Sequence, residues 1–482
     1  MRSHSIIVLL ALAFAAGCGT TSRQSGTADV RWPGIAQRRE TDFDRRTWNG
    51  TSVRLVGQLL EDIPDRIDSA AEHRLARNIL VTMADAPPDA PDSSAFIALR
   101  TAKLMAMGNF ADAAALGRQA PDLPRDAEEA ERAAEAELLA GETEMACIDY
   151  RALAQRSSGR RIGQAVALCA ARAGEPGAAP PGNNAGVLVR IAGQPLPATL
   201  PDASIAELAA IGLDPKLPPA RRLEAAFEAG RASAVDGAAL AKILQSAPAH
   251  GRAQPQPPTS GVDAAVLFHA IEQAAPARKL ALAEGGILSP AGGIDQVSVA
   301  LAVPLRAVKP GPGSASLSAR FARLLYAVGD IDAARPWAEL ATRSGQAGGI
   351  WPYRVVLGQA KPAEFDKWRK QTRTDRPEKI LAVVSAFGGV PIVEAADRSA
   401  STDVAAMDGA ANSQRVGETV LRALALLGSD GPARTDPETL GRVLMDLDRV
   451  NLHEEARALA FEALAGARAG AQVDKPGTNA HS

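Results

Sequence analysis

The sequence predicts an all-α fold in which antiparallel helix pairs stack as an α-solenoid. Three observations carry this expectation. Alanine dominates a hydrophobic fraction of 46%, while aromatics make up 4%; alanine is the strongest helix former, and its small side chain lets helices approach closely. Apolar residues recur three and four apart in segment after segment, and period-two alternation is scarce. A short unit, in which one helix ends, turns at Gly or Asn and starts another, recurs along the chain.

The first segment reads as an export signal. Met1-Arg2-Ser3-His4 is a short positive start, and Ile6 to Ala16 is an apolar run too short to span a bilayer as a mature helix. Ala15-Ala16-Gly17 places small residues ahead of Cys18. This arrangement resembles the lipobox of bacterial lipoproteins, with Ala15 standing where Leu is usual. The resemblance implies removal of residues 1–17 and lipidation of Cys18 as the new N-terminus. Gly19 is not the Asp that retains lipoproteins in the inner membrane, so the resemblance points to the outer membrane, facing the periplasm. The alternative is an ordinary signal cut after Ala13-Phe14-Ala15, which would release a soluble periplasmic protein.

Residues 18–46 are polar and aperiodic and read as a flexible tether. Helical patterning begins near Trp48: Leu55, Leu59, Leu60 and Ile63 share a face, then Leu75, Ile79 and Leu80. The helix–turn–helix unit follows at Gly108-Asn109 with Ala113, at Gly141-Glu142 with Ala146, and at Gly329-Asp330 with Ala334. A degenerate copy lies at Asn451 with Ala456 and Ala463. Gly or Asn accepts the left-handed backbone at a helix C-terminus, and the following small Ala lets the second helix approach. These segments resemble tetratricopeptide repeats, with Ala113 and Ala120, and Ala334 and Ala341, at the small-residue positions of the second helix. Thr143 stands where a bulky residue is usual, and the interval is not constant, so the expectation is a tetratricopeptide-like solenoid.

Cys147 and Cys169 lie on two helical stretches joined at Ser157-Ser158-Gly159. Each is 11 residues from Ser158, which puts them at the same height on an antiparallel pair. A disulfide is expected in an oxidising compartment; the alternative is two small buried hydrophobes.

Proline-rich stretches at 174–186, 195–201, 215–219, 248–261 and 304–313 read as loops. Helices are expected at 219–230, at 237–246, within 262–284 and, shortly, at 296–301. Residues 397–414 read as a linker, 416–469 as a closing hairpin and 470–482 as a disordered tail. The break at 248–261 divides an N-terminal helical region, 47–247, from a C-terminal one, 262–469.

The sequence carries few signs of catalytic or metal chemistry. With 53 basic against 55 acidic residues, nothing in the charge attracts nucleic acid or an anionic surface. His73, His250, His269, His453 and His481 stand apart from one another, and neither H-E-x-x-H nor C-x-x-C occurs, so no metal site or cofactor is expected. Phosphate-loop, G-x-S-x-G and S-x-x-K motifs are missing, as is the Glu-Ser dipeptide of lytic transglycosylases. The clusters Glu128-Glu129-Glu131 and Glu454-Glu455 read as solvated faces. One feature favours a binding surface: Trp337, Trp351, Tyr353, Phe365 and Trp368 concentrate aromatic area in an aromatic-poor chain, beside Lys367, Arg369 and Lys370. Their alternative role is filling the core.

The segments 55–86, 138–174, 324–340 and 416–466 also resemble a group of alanine-rich exported helical proteins of bacteria. That group implies fold and address and brings no activity. The expectation is therefore a lipid-anchored periplasmic scaffold that binds another cell-envelope protein and performs no catalysis. The alternatives are an envelope hydrolase with an unrecognised carboxylate pair, and a purely structural spacer.

Overall fold

The computed structural model describes residues 31–32, 34–35, 43–85, 87, 89, 94–119, 127–175, 204–215, 217–248, 251–288, 293–374, 376–388, 401–429, 431–465 and 469–472. Cys18, the export signal, Ala120, His250 and His481 lie outside the described residues.

After a two-residue strand β1 (Arg31–Trp32) come α1 (Val53–Glu61), α2 (Ala70–Val81), β2 (Ala84–Asp85), α3 (Ser94–Ala106), α4 (Phe110–Gly117), α5 (Ala127–Leu139), α6 (Thr143–Ala154) and α7 (Arg160–Arg172). Next are α8 (Ile205–Leu213), α9 (Pro219–Arg231), α10 (Gly237–Ser246), α11 (Gly261–Gln273), α12 (Pro276–Ile287) and α13 (Gln296–Ala302). The remainder comprises α14 (Ser318–Ala327), α15 (Ile331–Arg343), α16 (Trp351–Val356), α17 (Phe365–Gln371), β3 (Thr372–Thr374), α18 (Pro377–Ala386), α19 (Thr402–Asn412), α20 (Val416–Leu427), α21 (Pro437–Arg449), α22 (His453–Ala465) and β4 (Ala469–Gln472). The fold is all-α, as expected.

Local chemistry explains these boundaries. Ser52, Ser204, Asp236, Ser260, Asp295 and Asp436 cap helix N-termini with their side chains, and Ser204 forms a reciprocal capping box with Glu207. Pro219, Pro276, Pro377 and Pro437 each open a helix, where a missing N–H costs nothing. The four recurring turns close identically at their C-terminal ends. Gly108, Gly141, Gly329 and Asn451 all adopt positive φ. In each, that residue donates its N–H three residues back and its successor donates five back, as in Asn109 N to Leu104 O at 2.8 Å and Leu452 N to Leu447 O at 2.9 Å. The following alanines Ala113, Ala146, Ala334 and Ala456 are fully buried between paired helices.

The tertiary arrangement departs from an open stack. A solenoid joins each unit to its sequence neighbours alone, yet here the N-terminal helices pack on the C-terminal ones. Helix α1 contacts α20, and α2 contacts both α20 and α22. Thr47 O accepts a hydrogen bond from Gly417 N at 2.7 Å, and Asp68 N donates to Ser429 O at 3.1 Å. Helix α22 touches α2, α14, α16, α18 and α21. Every residue from Leu459 to Ala465 is buried. The C-terminal half of α22 is thus buried on all sides, central rather than one layer of a stack, which explains why it carries no clean apolar stripe.

Other expectations are corrected. The break at 248–261 does not separate two cores, because α9 and α10 pack on α11 and one hydrophobic cluster runs from Phe43 to Ala465. The end of the expected tether belongs to the body: Phe43 is buried, Ile35 N donates to Val81 O at 2.9 Å, and β1 pairs with β2. Backbone pairing that a polar composition does not announce decided both this and the start of the tail, where β4 pairs antiparallel with β3. The expected linker 397–414 contains α19, held by Val404, Met407, Ala410 and Ala411. A smaller cluster of α5, α6 and α7, around Tyr150 and Leu168, stands apart from the main core.

Candidate functional site

Three of the four recurring turns, those at Gly108, Gly141 and Gly329, converge on a cavity of about 790 Å³, a size typical of sites for small ligands. The first two turns of α2 contribute His73, Arg74 and Arg77. The turns at 108–112, 138–143, 233–236 and 327–329 supply further walls, and α22 closes the site with Ala458 and Glu462. Close backbone approach shapes this centre. A Cβ on Gly108 would lie 2.7 Å from the Ala234 Cβ, nearer than side chains tolerate. Helix ends of both polarities meet here, the N-termini of α4, α6 and α13 and the C-termini of α5, α8 and α14.

Glu462 is the pivot of the wall. Its Oε2 accepts from Ser69 Oγ at 2.9 Å and Ala71 N at 3.2 Å, and its Oε1 accepts from Ile294 N at 3.1 Å. One carboxyl thus ties α22 to the start of α2 and to the segment entering α13. Burial pushes its pKa up to about 8, against those hydrogen bonds, and Asp295 adds a repulsive contribution. Burial likewise raises Asp295 to about 6. His73 is driven the other way, to about 4, because burial penalises the imidazolium. Its Nε2 donates to Met107 O at 3.2 Å, which opposes that shift and bridges α2 to the first hairpin turn.

The charged groups of the wall divide into committed and uncommitted. Arg77 Nη2 donates to Asp112 Oδ1 at 2.8 Å, and Asp236 accepts from Ala238 N and Ala239 N at 2.9 Å each as a helix cap. Arg172 donates to the Thr143 hydroxyl at 2.8 Å and to no carboxylate among the described residues. Arg74 is exposed on α2 with no hydrogen-bond or ion-pair partner among the described residues. Leu213, 40% exposed, is one of the few large apolar side chains left open to solvent, and it too lines the cavity.

The sequence pointed elsewhere. Trp337, Trp351, Tyr353, Phe365 and Trp368 are buried, at 1, 6, 4, 8 and 4% exposure. Trp337 stacks on Phe321 with ring centroids 4.2 Å apart, Trp351 stacks on Trp368 at 5.2 Å, and Tyr353 meets Phe461 at 5.7 Å. They are core, not a contact surface: alanine-rich helices leave gaps that large rings fill. Lys367, Arg369 and Lys370 are exposed beside them but frame no aromatic patch. Glu455 is also buried rather than solvated. Cys147 and Cys169 are brought to disulfide distance, Sγ–Sγ 1.98 Å and Cα–Cα 5.6 Å, joining α6 to α7, the helices that carry Thr143 and Arg172 of the cavity wall.

Sequence reasoning missed Glu462, Ser69, Arg74, Arg172 and Leu213. Glu462 has no motif around it; an acid inside the otherwise apolar stretch 458–465 was its one visible signal. Among the described residues no three His, Cys, Asp or Glu side chains are placed to hold a metal, and no helix is long and apolar enough to cross a membrane. No family model, curated protein or solved structure matches this chain.

Proposed function

We propose that this chain is a lipid-anchored periplasmic scaffold that binds another cell-envelope protein and has no catalytic step of its own. The anchor rests on the lipobox resemblance at Cys18. The binding role rests on the central cavity, whose wall leaves an apolar side chain, Leu213, and a cation, Arg74, uncovered. Exposed apolar surface in a concave site is what a partner segment buries.

The hydrolase alternative would call on Glu462 and Asp295. Both Glu462 oxygens already accept hydrogen bonds from the protein, which suits a structural clasp better than an acid poised for proton transfer. The binding reading is therefore preferred. Its test is in-cell crosslinking of a tagged, exported chain followed by mass spectrometry. One envelope protein is expected with the wild type, with weaker recovery from Cys18→Ala and loss in the cavity-filling Leu213→Trp. Equal recovery from wild type and Leu213→Trp would remove the cavity from the reading.

A further inference from the structure

We infer that the cavity recognises the carboxylate end of a polypeptide, with Arg74 and Arg172 receiving the carboxylate and Leu213 the last apolar side chain. This deepens the scaffold reading and rests on it.

The charge of the wall favours an anion. The acids of the wall are engaged: Asp112 with Arg77, Asp236 with a helix N-terminus, Glu462 with Ser69, Ala71 and Ile294. Asp214 has a partner as well. Arg74 and Arg172, in contrast, face the cavity with no carboxylate of the described chain. Guanidinium groups present planar forks that fit a carboxylate in a bidentate pair. Those two side chains are cations of the wall that no carboxylate of the described chain neutralises, so they favour an anionic ligand.

The wall also presents apolar surface beside those cations. Leu139, Val299 and Val328 are half-buried, and Leu213 is exposed, all lining the same space. A small inorganic anion would leave that apolar surface wet. A fully apolar ligand would strand the guanidiniums. A chain end supplies both features, an α-carboxylate and a side chain beside it, within about 790 Å³, room for roughly a drug-sized segment. Main-chain amides of the segment can meet polar wall groups such as the Asn109 side-chain oxygen; the Asn109 Nδ2 lies 3.4 Å from His73 Nε2, and the residue makes no capping bond to its own helix. An acyl chain has no such groups.

The test uses the full-length exported protein and a synthetic hexapeptide library made in two forms, with free C-terminal carboxylates and with C-terminal amides. Bound peptides are identified by affinity selection and mass spectrometry, then measured singly by fluorescence anisotropy. Free-acid peptides with an apolar last residue should be retained, and their amides should bind at least about tenfold more weakly, as expected for losing a charge-assisted pair. Arg74→Gln and Arg172→Gln should each erase the acid-over-amide preference, while Arg74→Lys keeps part of it; unchanged urea midpoints show that these variants fold. Equal binding of acids and amides, or a preference that survives both Gln variants, overturns the inference and leaves the scaffold reading standing. Retention of neither form also overturns it. If Leu213→Trp then still crosslinks the same envelope protein in cells, the cavity reading fails with it.

Discussion

Glu462 makes the sharpest prediction because its burial and its hydrogen bonds pull in opposite directions. Its pKa stands at about 8 in the folded chain against an ordinary 4.5. The folded state therefore holds this proton more tightly than the unfolded state. The stability linked to it is complete below pH 4.5 and is lost as pH rises through about 8. At 1.36 kcal/mol per pH unit, the separation corresponds to about 5 kcal/mol. Glu462→Gln fixes a neutral side chain. Its amide oxygen can replace Oε2 toward Ser69 and Ala71, but its NH₂ then faces the Ile294 N–H, a donor against a donor. The resulting loss is about 1–3 kcal/mol at every pH. The variant is thus expected to be less stable than wild type near pH 5 and to match or exceed it near pH 8.5, which lies above the wild-type transition. Urea unfolding followed by far-ultraviolet circular dichroism measures the difference. Asp295, raised to about 6, slopes in the same direction in both proteins and largely drops out. His73, lowered to about 4, acts at the acid end with opposite sign: its contribution is present above 6.5 and lost as pH falls toward 4. A wild-type-minus-variant difference that stays constant from about pH 5 to 8.5 would refute the reasoning.

Three further outcomes follow from packing. Trp337→Ala should destabilise the protein by about 3–5 kcal/mol, since a fully buried ring stacked on Phe321 is removed; an unchanged urea midpoint would return Trp337 to the surface. Gly417→Ala places a Cβ 2.4 Å from the Trp48 ring, so the contact between the N-terminal segment and α20 should loosen. The expected loss is about 1–3 kcal/mol, with red-shifted tryptophan emission; neither change would mean that this contact does not form. Replacing Cys147 and Cys169 by Ser should remove about 3 kcal/mol in the chain-entropy description and raise amide exchange selectively across α6 and α7. Two thiols alkylated in exported protein before reduction would contradict that pairing.

Much of the secondary structure was legible in the chain. The Gly108, Gly141, Gly329 and Asn451 turns could be found because a left-handed residue at a helix end is a local requirement, met by few residue types. Turns with the same closure at Ser233 and Gln414 were not, because nothing marks a serine or glutamine as left-handed before its surroundings hold it there. Burial was harder to read. In the aromatic group 337–368, Trp337 meets Phe321 and Trp351 meets Trp368 across neighbouring elements, while Tyr353 meets Phe461 far away in sequence; neither kind of partner is marked by helical periodicity.

What the sequence determined by itself is what depends on neighbours along the chain: helix formation by alanine-rich periodic segments, their caps and prolines, the hairpin turns and the equal heights of Cys147 and Cys169. The tertiary structure alone decided that the chain closes on itself, that α22 lies at its centre and that the turns enclose a cavity. Those features depend on contacts such as Ser69 with Glu462, 393 residues apart. Local periodicity records which face of a helix is apolar, but not which distant helix will cover it.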